Sequence, residues 1–267
     1  MKTSIVIESS SRKIRVGFAT EQQPRFVFPA LVNGNNVGEN ASGGSYPMDE
    51  FGIVTDWDGM KKLWSHAFNL LGVNPSEHFV LLTEAPMNPK NYREKLTQIM
   101  FDTFKVGGMY LAVNSTLAAY ARGVYTALIV QMEEESVYAV PLFDGYVLTH
   151  AALRFSKGVE DSYVPELIYD AIMKSDVDVR KELIPKIILA GDVTYASGLA
   201  SHLEKEIQKL LPQTYCRFAK VVEPADRSIL TWKGGCVLAS NPNFGQSWIS
   251  PAEYSASGAT IVHRKCF

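Results

Sequence analysis

The chain has 267 residues, of which 46% are hydrophobic and 20% charged, as in an ordinary globular protein with ample material for a core. Its net charge of -2, from 26 basic and 28 acidic residues, gives no electrostatic reason to expect nucleic acid or an anionic membrane as partner. The three scattered cysteines indicate free thiols, and no apolar run is long enough for a signal peptide or a membrane span, so we expect a cytosolic protein.

The first half of the chain opens with strands and then alternates helices and strands. Asp56 is a helix-capping residue type, and apolar residues follow it at near-helical spacing. The Gly-, Asn- and Ser-rich segment Asn33–Ser45 before it is expected to be an exposed loop. The predicted strands are Ser4–Ile7, Ile14–Phe18, Phe26–Val32, Phe79–Leu82 and Met109–Val113, and the predicted helices are Asp56–Leu70, Tyr92–Phe104 and Ser115–Ala121.

The second half repeats this order of elements. Its predicted strands are Ala127–Met132, Ser136–Val140, Tyr146–Leu153, Ile187–Leu189 and Arg217–Val222, and its predicted helices are Pro165–Met173, Leu199–Leu211 and one that ends near Ser240. The order β-β-β-α-β-α-β-α therefore occurs twice. A repeat of this length predicts an α/β protein with two similar lobes.

Five long stretches carry a resemblance to actin. They are PRFVFPALV (Pro24–Val32), LLTEAPMNPKNYREKLTQIMFDTF (Leu81–Phe104), IMKSDVDVRKEL (Ile172–Leu183), WISPAEYSASG (Trp248–Gly258) and IVHRKCF (Ile261–Phe267). The chain resembles actin over nearly its whole length. The resemblance implies two ribonuclease H-like lobes, one formed by residues 1–121 plus 230–267 and the other by residues 122–229.

Two blocks of actin have no counterpart in this chain. The polar loop 33–46 stands where actin has its small outer subdomain, and the short segment 156–163 stands where it has the other outer subdomain. The resemblance therefore implies a minimal form that retains only the two inner subdomains. Both deletions fall between core elements and are bridged by polar residues, as a viable deletion requires.

Actin-like ATPases hold phosphates with two glycine-rich hairpin turns, because glycine lets backbone N–H groups approach the phosphate. The first turn of this chain reads ESSSR, from Glu8 through Ser10 to Arg12, and has no glycine. The lysine that reaches the phosphates in the family aligns with Arg15. Serine and arginine can bind phosphate in other geometries, so this turn alone leaves the question open.

The second turn departs further from the family pattern. It reads QMEEE, and the metal-positioning aspartate aligns with Gln131. Glu133 to Glu135 would face a polyphosphate of the same charge, at a cost of roughly 1 kcal/mol per pair in water and about 4 kcal/mol at an effective dielectric near 20. Several such costs would remove micromolar binding, which is worth about 8 kcal/mol. We expect this turn to be a solvated polar turn.

Two further positions of the site are altered. Asp192 stands where the family's adenosine-side turn has a second glycine, and Asn114 stands where the glutamine that orients the attacking water is expected. The shorter asparagine would cost about 100-fold in a reaction that depends on positioning. We therefore expect no nucleotide, no metal and no enzymatic activity. Gly234 and Gly235 are expected at a helix start, where a structural role is favoured over anion binding.

The resemblance also implies a surface for protein partners. In actin a cleft between the inner subdomains takes up helices of other proteins. The positions that match its lining are Tyr120, Ala121, Gly123, Tyr146 and Leu238. The alternative is that these residues only pack between the lobes. A homopolymer is not expected, because the outer subdomains that supply longitudinal contacts are missing.

Together these observations predict a nucleotide-free, actin-like structural subunit of a larger assembly, in the cytoplasm and associated with the cytoskeleton or a cilium. Two alternatives stay open. One is a divergent actin-type ATPase with rebuilt phosphate turns. The other is a monomeric module that caps or sequesters actin.

Overall fold

The computed structural model describes residues 3–156, 163–195 and 197–266. Two compact units account for it, one formed by residues 1–114 and 235–267 and the other by residues 115–234. The boundaries predicted from the sequence, after residue 121 and before residue 230, differ from these by a few residues. Most of the segment 156–163 lies outside the described residues.

The elements follow one another in the predicted order with a few additions. The strands are β1 Ile5–Ser9, β2 Lys13–Phe18, β3 Phe26–Pro29, β4 Val32–Asn33, β5 Asn36–Val37, β6 Phe79–Glu84, β7 Gly108–Val113, β8 Ala127–Met132, β9 Ser136–Phe143, β10 Tyr146–Val147, β11 Leu153–Ser156, β12 Ile187–Ala190 and β13 Val221–Val222. The helices are α1 Trp57–Leu71, α2 Lys90–Asp102, α3 Asn114–Ala121, α4 Val164–Lys174, α5 Val177–Leu183, α6 Leu199–Leu210, α7 Gln213–Cys216, α8 Leu230–Ala239, α9 Pro251–Ser257 and α10 Val262–Lys265.

Each unit is built on a mixed sheet, and the two sheets have the same pattern. In the first unit the strand order is β3-β2-β1-β6-β7, with the first three strands antiparallel and β1, β6 and β7 parallel. In the second unit the order is β10-β9-β8-β12-β13, and β11 also pairs with β9. Parallel neighbours require crossover connections, which the helices supply. The predicted α/β fold with two similar lobes is confirmed.

Helix α1 shows how local sequence sets these boundaries. The carboxylate of Asp56 accepts hydrogen bonds from the backbone N–H groups of Asp58 and Gly59, which would otherwise lack partners in the first turn. The helix ends at Gly72, whose φ of 65° suits a residue without a side chain. The predicted apolar face is buried at Met60, Leu63, Trp64 and Phe68.

Two predicted strands of the second unit are wrong over most of their length. Between β10 and β11 the chain turns, and the N–H groups of Ala151 and Ala152 both donate to the carbonyl of Leu148. In the other case a short helix, α7, follows Pro212 and leaves only β13 as strand. In both places local turn hydrogen bonds outcompete the strand propensity of the apolar residues.

The sequence predicted an exposed loop over the polar segment 33–45, but only part of the segment is one. It contains the small hairpin of β4 and β5, and Ala41 within it is fully buried. Gly38, with a φ of 66°, lies against the ring of Phe28, where a Cβ would be 3.4 Å away. At its base, Val32 and Ser45 exchange two backbone hydrogen bonds of 3.0 Å. The two ends of the segment are therefore held next to each other.

The C-terminal helix α10 is fastened to α2. Arg93 donates from Nε to Glu84 at 2.7 Å and from Nη1 to the carbonyl of Cys266 at 2.7 Å. Nearby, His263 Nε2 lies 2.9 Å from the carboxylate of Glu94. Burial raises the pKa of Glu84, while the neighbouring Arg93 acts in the opposite direction. These contacts join two of the stretches on which the resemblance to actin rests.

The core of the second unit lies on both faces of its sheet. One face packs against α4, α5 and α6, and the other packs against α3 and the start of α8. Within the described part of the chain, no helix is both long and apolar enough to cross a bilayer. The same residues contain no group of three or more His, Cys, Asp or Glu side chains that could hold a metal ion.

Candidate functional site

The first hairpin turn, Ser10–Lys13, joins β1 to β2 and is closed by its own polar groups. The backbone N–H of Ser10 donates to the carbonyl of Lys13 at 2.9 Å, and the Ser10 hydroxyl accepts from the N–H of Lys13 at 3.2 Å. The positive-φ residues of the described chain all lie elsewhere. This turn therefore forms without the left-handed backbone that would call for glycine.

A buried ion pair stands behind this turn. Glu8 and Arg15 are directly opposite each other on β1 and β2, and Arg15 Nη1 lies 3.0 Å from Glu8 Oε1. Both side chains are only 4% exposed. Arg15 is the residue that the resemblance to actin aligns with the family's phosphate-reaching lysine. Its charge is instead matched by a carboxylate inside the sheet.

Arg12 is also held within the first unit. Its guanidinium lies over the ring of Tyr46, with Cζ 3.9 Å from the ring centroid, which is the geometry of a cation–π contact. Its carbonyl accepts a hydrogen bond of 2.8 Å from the N–H of Ala30. Tyr46 is the last residue of the polar loop 33–46. That loop therefore ends on the first hairpin turn, and no local sequence pattern predicts this contact.

The second hairpin turn, Glu133–Ser136, joins β8 to β9 and is closed by a 2.9 Å hydrogen bond from the N–H of Glu133 to the carbonyl of Ser136. Gln131 donates from Nε2 to Glu133 Oε1 at 2.8 Å, and both side chains are buried. Glu134 is exposed and Glu135 is half-buried. The prediction of a solvated turn is therefore wrong for Glu133, because the side-chain amide of Gln131 supplies a buried donor for its carboxylate.

The turn that contains Asp192 is packed against the end of β8. Gly191 has a φ of 101°, and a Cβ there would lie 2.3 Å from the carbonyl oxygen of Met132. Asp192 itself is half-buried. Only glycine fits at position 191, since a side chain would meet rigid backbone. The glycine that the turn keeps thus has a structural reason that involves no ligand.

Arg227 and Tyr195 close the same turn, and sequence reasoning missed both. Arg227 donates from Nε to the carbonyl of the buried Thr194 at 3.1 Å, and its Cζ lies 4.1 Å from the centroid of the Tyr195 ring. The Tyr195 hydroxyl is 3.1 Å from Ser228 Oγ. An arginine covering a tyrosine ring thus occurs in each unit. The residues of each pair are far apart in sequence, so no local pattern indicated them.

Asn114 is the first residue of α3 and is buried, with 6% of its surface exposed. Among the described residues, its Oδ1 has no hydrogen-bond partner. The structure thus brings Glu8 together with Arg15, and Gln131 together with Glu133. It describes no such pairing for the Asn114 side-chain oxygen.

Of the predicted partner-binding residues, four lie in the second unit and Leu238 lies on α8 in the first unit. Tyr120 and Ala121 end α3, Gly123 follows with a φ of 65°, and Tyr146 begins β10 with 59% of its surface exposed. Tyr125 was not predicted. Its side chain is 61% exposed, and its ring centroid is 5.5 Å from that of Tyr120.

Tyr120, Tyr125 and Tyr146 form what we call the tyrosine face. Burial raises the pKa of Tyr120, and Tyr125 and Tyr146 add to this because they lie close to it. The turn before β10 brings them together, since Gly145 donates to the carbonyl of Tyr125 at 2.7 Å. Asp144 and Gly145 both have positive φ, as a tight hairpin turn of this kind requires.

The sequence predicted that Gly234 and Gly235 start a helix, but both residues lie inside α8. A Cβ on Gly234 would be 1.8 Å from the carbonyl oxygen of Leu117 in α3. The absence of a side chain allows the backbones of α3 and α8 to approach each other closely. This packing is consistent with the structural role that the sequence favours for the two glycines over anion binding.

Two units with the same mixed-sheet topology, each with a hairpin turn at the corresponding place, define a two-lobed α/β protein of the actin-like fold. The family model described as Actin matches residues 1–163 and 158–267, which together cover the whole chain. The chain belongs to the actin family.

Proposed function

We propose that this member of the actin family is a nucleotide-free structural subunit of a larger protein assembly. The observation that carries the proposal is the buried pair of Glu8 and Arg15, 3.0 Å apart. Arg15 is only 4% exposed, so it would have to leave Glu8 to reach a phosphate outside the sheet. Removal of one partner of a buried pair costs about 3–5 kcal/mol, which would consume much of an ordinary nucleotide affinity.

The second hairpin turn supports the same proposal. A phosphate would approach Glu133, a buried carboxylate whose donor is the amide of Gln131. A divalent cation would normally offset the repulsion between carboxylate and phosphate. Beside Glu133, however, Gln131 offers such a cation a neutral amide and not a second carboxylate. The chain is therefore proposed to have no ATPase activity.

The tyrosine face is the surface that we assign to a protein partner. Tyr125 and Tyr146 are large aromatic side chains with more than half of their surface exposed. Aromatic residues are enriched at protein interfaces, and tyrosine is common among the residues that dominate binding energy. A helix of a partner is the proposed ligand. By family analogy we place the assembly in the cytoplasm, in the cytoskeleton or a cilium.

The test is to purify the native complex under mild conditions, determine its mass and composition, and measure nucleotide released on denaturation. We expect a large assembly of fixed composition without stoichiometric nucleotide. A solitary 29.6 kDa chain that releases one ADP or ATP would overturn the proposal and favour a divergent ATPase. A solitary nucleotide-free chain that alters actin polymerisation would favour a capping or sequestering module.

Variants of the tyrosine face test the assigned surface. Tyr125→Ser combined with Tyr146→Ser is expected to release the chain from the assembly, because both rings lose their contact area. The matched control is Tyr163→Ser, another tyrosine of the second unit that is 42% exposed. Retention of the double variant in the complex would show that partners bind elsewhere.

A further inference from the structure

A basin in the first unit is formed by the polar segment and the outer face of α1. It has a volume of about 310 Å³. Its polar lining residues carry amide, basic or hydroxyl side chains: Asn35, Asn36 and Asn40 from the segment, and Lys62, Ser65, His66 and Asn69 from α1. We call it the asparagine basin. Its lining shares no residue with either hairpin turn or with the tyrosine face.

The walls of the basin are held in place before any ligand arrives. Lys62 Nζ donates to the carbonyl of Gly34 at 2.6 Å, which ties the tip of the hairpin to α1. The ring of His66 packs edge-on against Phe28, with the centroids 4.9 Å apart. Asn33 Nδ2 donates to the carbonyl of Ser42 at 3.0 Å, across the segment. Fixed walls lower the entropic cost of binding.

The lining carries a positive charge and no negative charge. None of its residues is acidic, and Lys62 supplies a positive charge with two donors beyond the one used on Gly34. The side chains of Asn35, Asn36, Asn40 and Asn69 make no hydrogen bond to protein within the described ranges. Glu39 precedes Asn40 but does not line the basin. Amide groups both donate and accept, as the backbone of an extended peptide does.

We propose that the asparagine basin binds an extended acidic segment of a partner protein, with a carboxylate at Lys62 and the peptide backbone at the asparagine amides. A carbohydrate fits less well, because the lining offers no aromatic ring of Phe, Tyr or Trp for stacking. The volume lies at the lower end of the range for ligand pockets, about 300–1,000 Å³, and suits one side chain with its flanking peptide groups. This inference deepens the partner-binding role proposed above and rests on it.

The test uses the full-length, ¹⁵N-labelled chain and the peptide Ac-Gly-Glu-Glu-Gly-amide, with Ac-Gly-Gln-Gln-Gly-amide as its matched control. The side-chain amide resonances of the basin asparagines report binding directly. We expect a saturable shift with the acidic peptide, and binding of the glutamine peptide weaker by about tenfold or more, as loss of a charge-assisted hydrogen bond predicts. Equal responses to both peptides, or no saturation below about 10 mM, would overturn the proposal.

Two neighbouring lysines of α1 provide the control variants. Lys62→Gln is expected to weaken acidic-peptide binding about tenfold, whereas Lys61→Gln, which points to a different hollow, leaves it within about twofold. Because Lys62 also holds the hairpin, Asn69→Ala on α1 serves as a second variant and is expected to weaken binding with the segment intact. Equal effects of the two lysine variants would refute the assignment. The mass and nucleotide content of the native complex test the proposed function separately.

Discussion

Replacement of Glu8 by glutamine is the sharpest test of the reasoning about the first hairpin turn. The change keeps the size of the side chain but removes the negative charge that faces Arg15 at 3.0 Å. With both side chains 4% exposed, the guanidinium would stay buried and lose the charge of the Glu8 carboxylate. Breaking a buried pair in this way costs about 3–5 kcal/mol in the free energy of unfolding. For a protein of this size that corresponds to a fall in Tm of roughly 6–20 °C.

Two further variants separate charge from packing. In the double variant Glu8→Leu with Arg15→Leu no charge is left behind, so most of the lost stability should return, since apolar replacements of buried pairs are often neutral. Arg25→Gln removes the exposed partner of Glu21, and surface pairs are worth at most about 1 kcal/mol. Urea unfolding measures the free energy of unfolding of the unaltered chain, Glu8→Gln, the double leucine variant and Arg25→Gln. A loss below about 1 kcal/mol for Glu8→Gln would refute the claim that the pair is buried and closed to phosphate.

Three other outcomes follow from the structure. Gly234→Ala should destabilise the chain by about 1–3 kcal/mol or more in thermal unfolding, because its Cβ would lie 1.8 Å from a backbone carbonyl, whereas Gly245→Ala, with open space around it, should change little. Hydrogen bonds from Lys265 and Ser250 lower the pKa of Glu253 to about 2, so its contribution to stability is complete above the unfolded pKa near 4.5 and is lost as the pH falls towards 2. Carboxyl NMR titration measures this, and an unshifted Glu253 would contradict it. Iodoacetamide at pH 8 should label one thiol, Cys216, in the native chain and three after unfolding, since burial raises the pKa of the other two to about 12.

Elements whose signals are local could be predicted from the sequence. Asp56 marks the start of α1 because its carboxylate caps the backbone N–H groups of Asp58 and Gly59 in the first turn. Strand β8 has the predicted bounds because an apolar run between turns has few alternatives. The predicted strand at Tyr146–Leu153 is wrong because a turn forms there, with two hydrogen bonds to the carbonyl of Leu148. The residues of this turn have no composition that distinguishes them from a strand.

The candidate site was predictable in outline but not in its pairings. The missing glycines and the substitution of Gln131 could be recognised once the resemblance to actin was clear. The pairing of Arg12 with Tyr46, and that of Arg227 with Tyr195, depends on long-range packing. Glu133 illustrates the same limit, since its burial reflects where β8 ends and not the three acidic letters in a row.

Because Val32 and Ser45 are joined by two backbone hydrogen bonds, we expect that the segment between them can be replaced by a longer one. They fix its two ends at the distance of neighbouring strands, whatever lies between. The entropic cost of a longer connection grows only logarithmically with its length, by about 0.6 kcal/mol for each doubling. A reporter domain with adjacent termini could therefore be inserted at Gly43, which is exposed and has nothing within 4 Å of its Cβ position. The two hydrogen bonds that close this short loop can therefore also hold the ends of an inserted domain together.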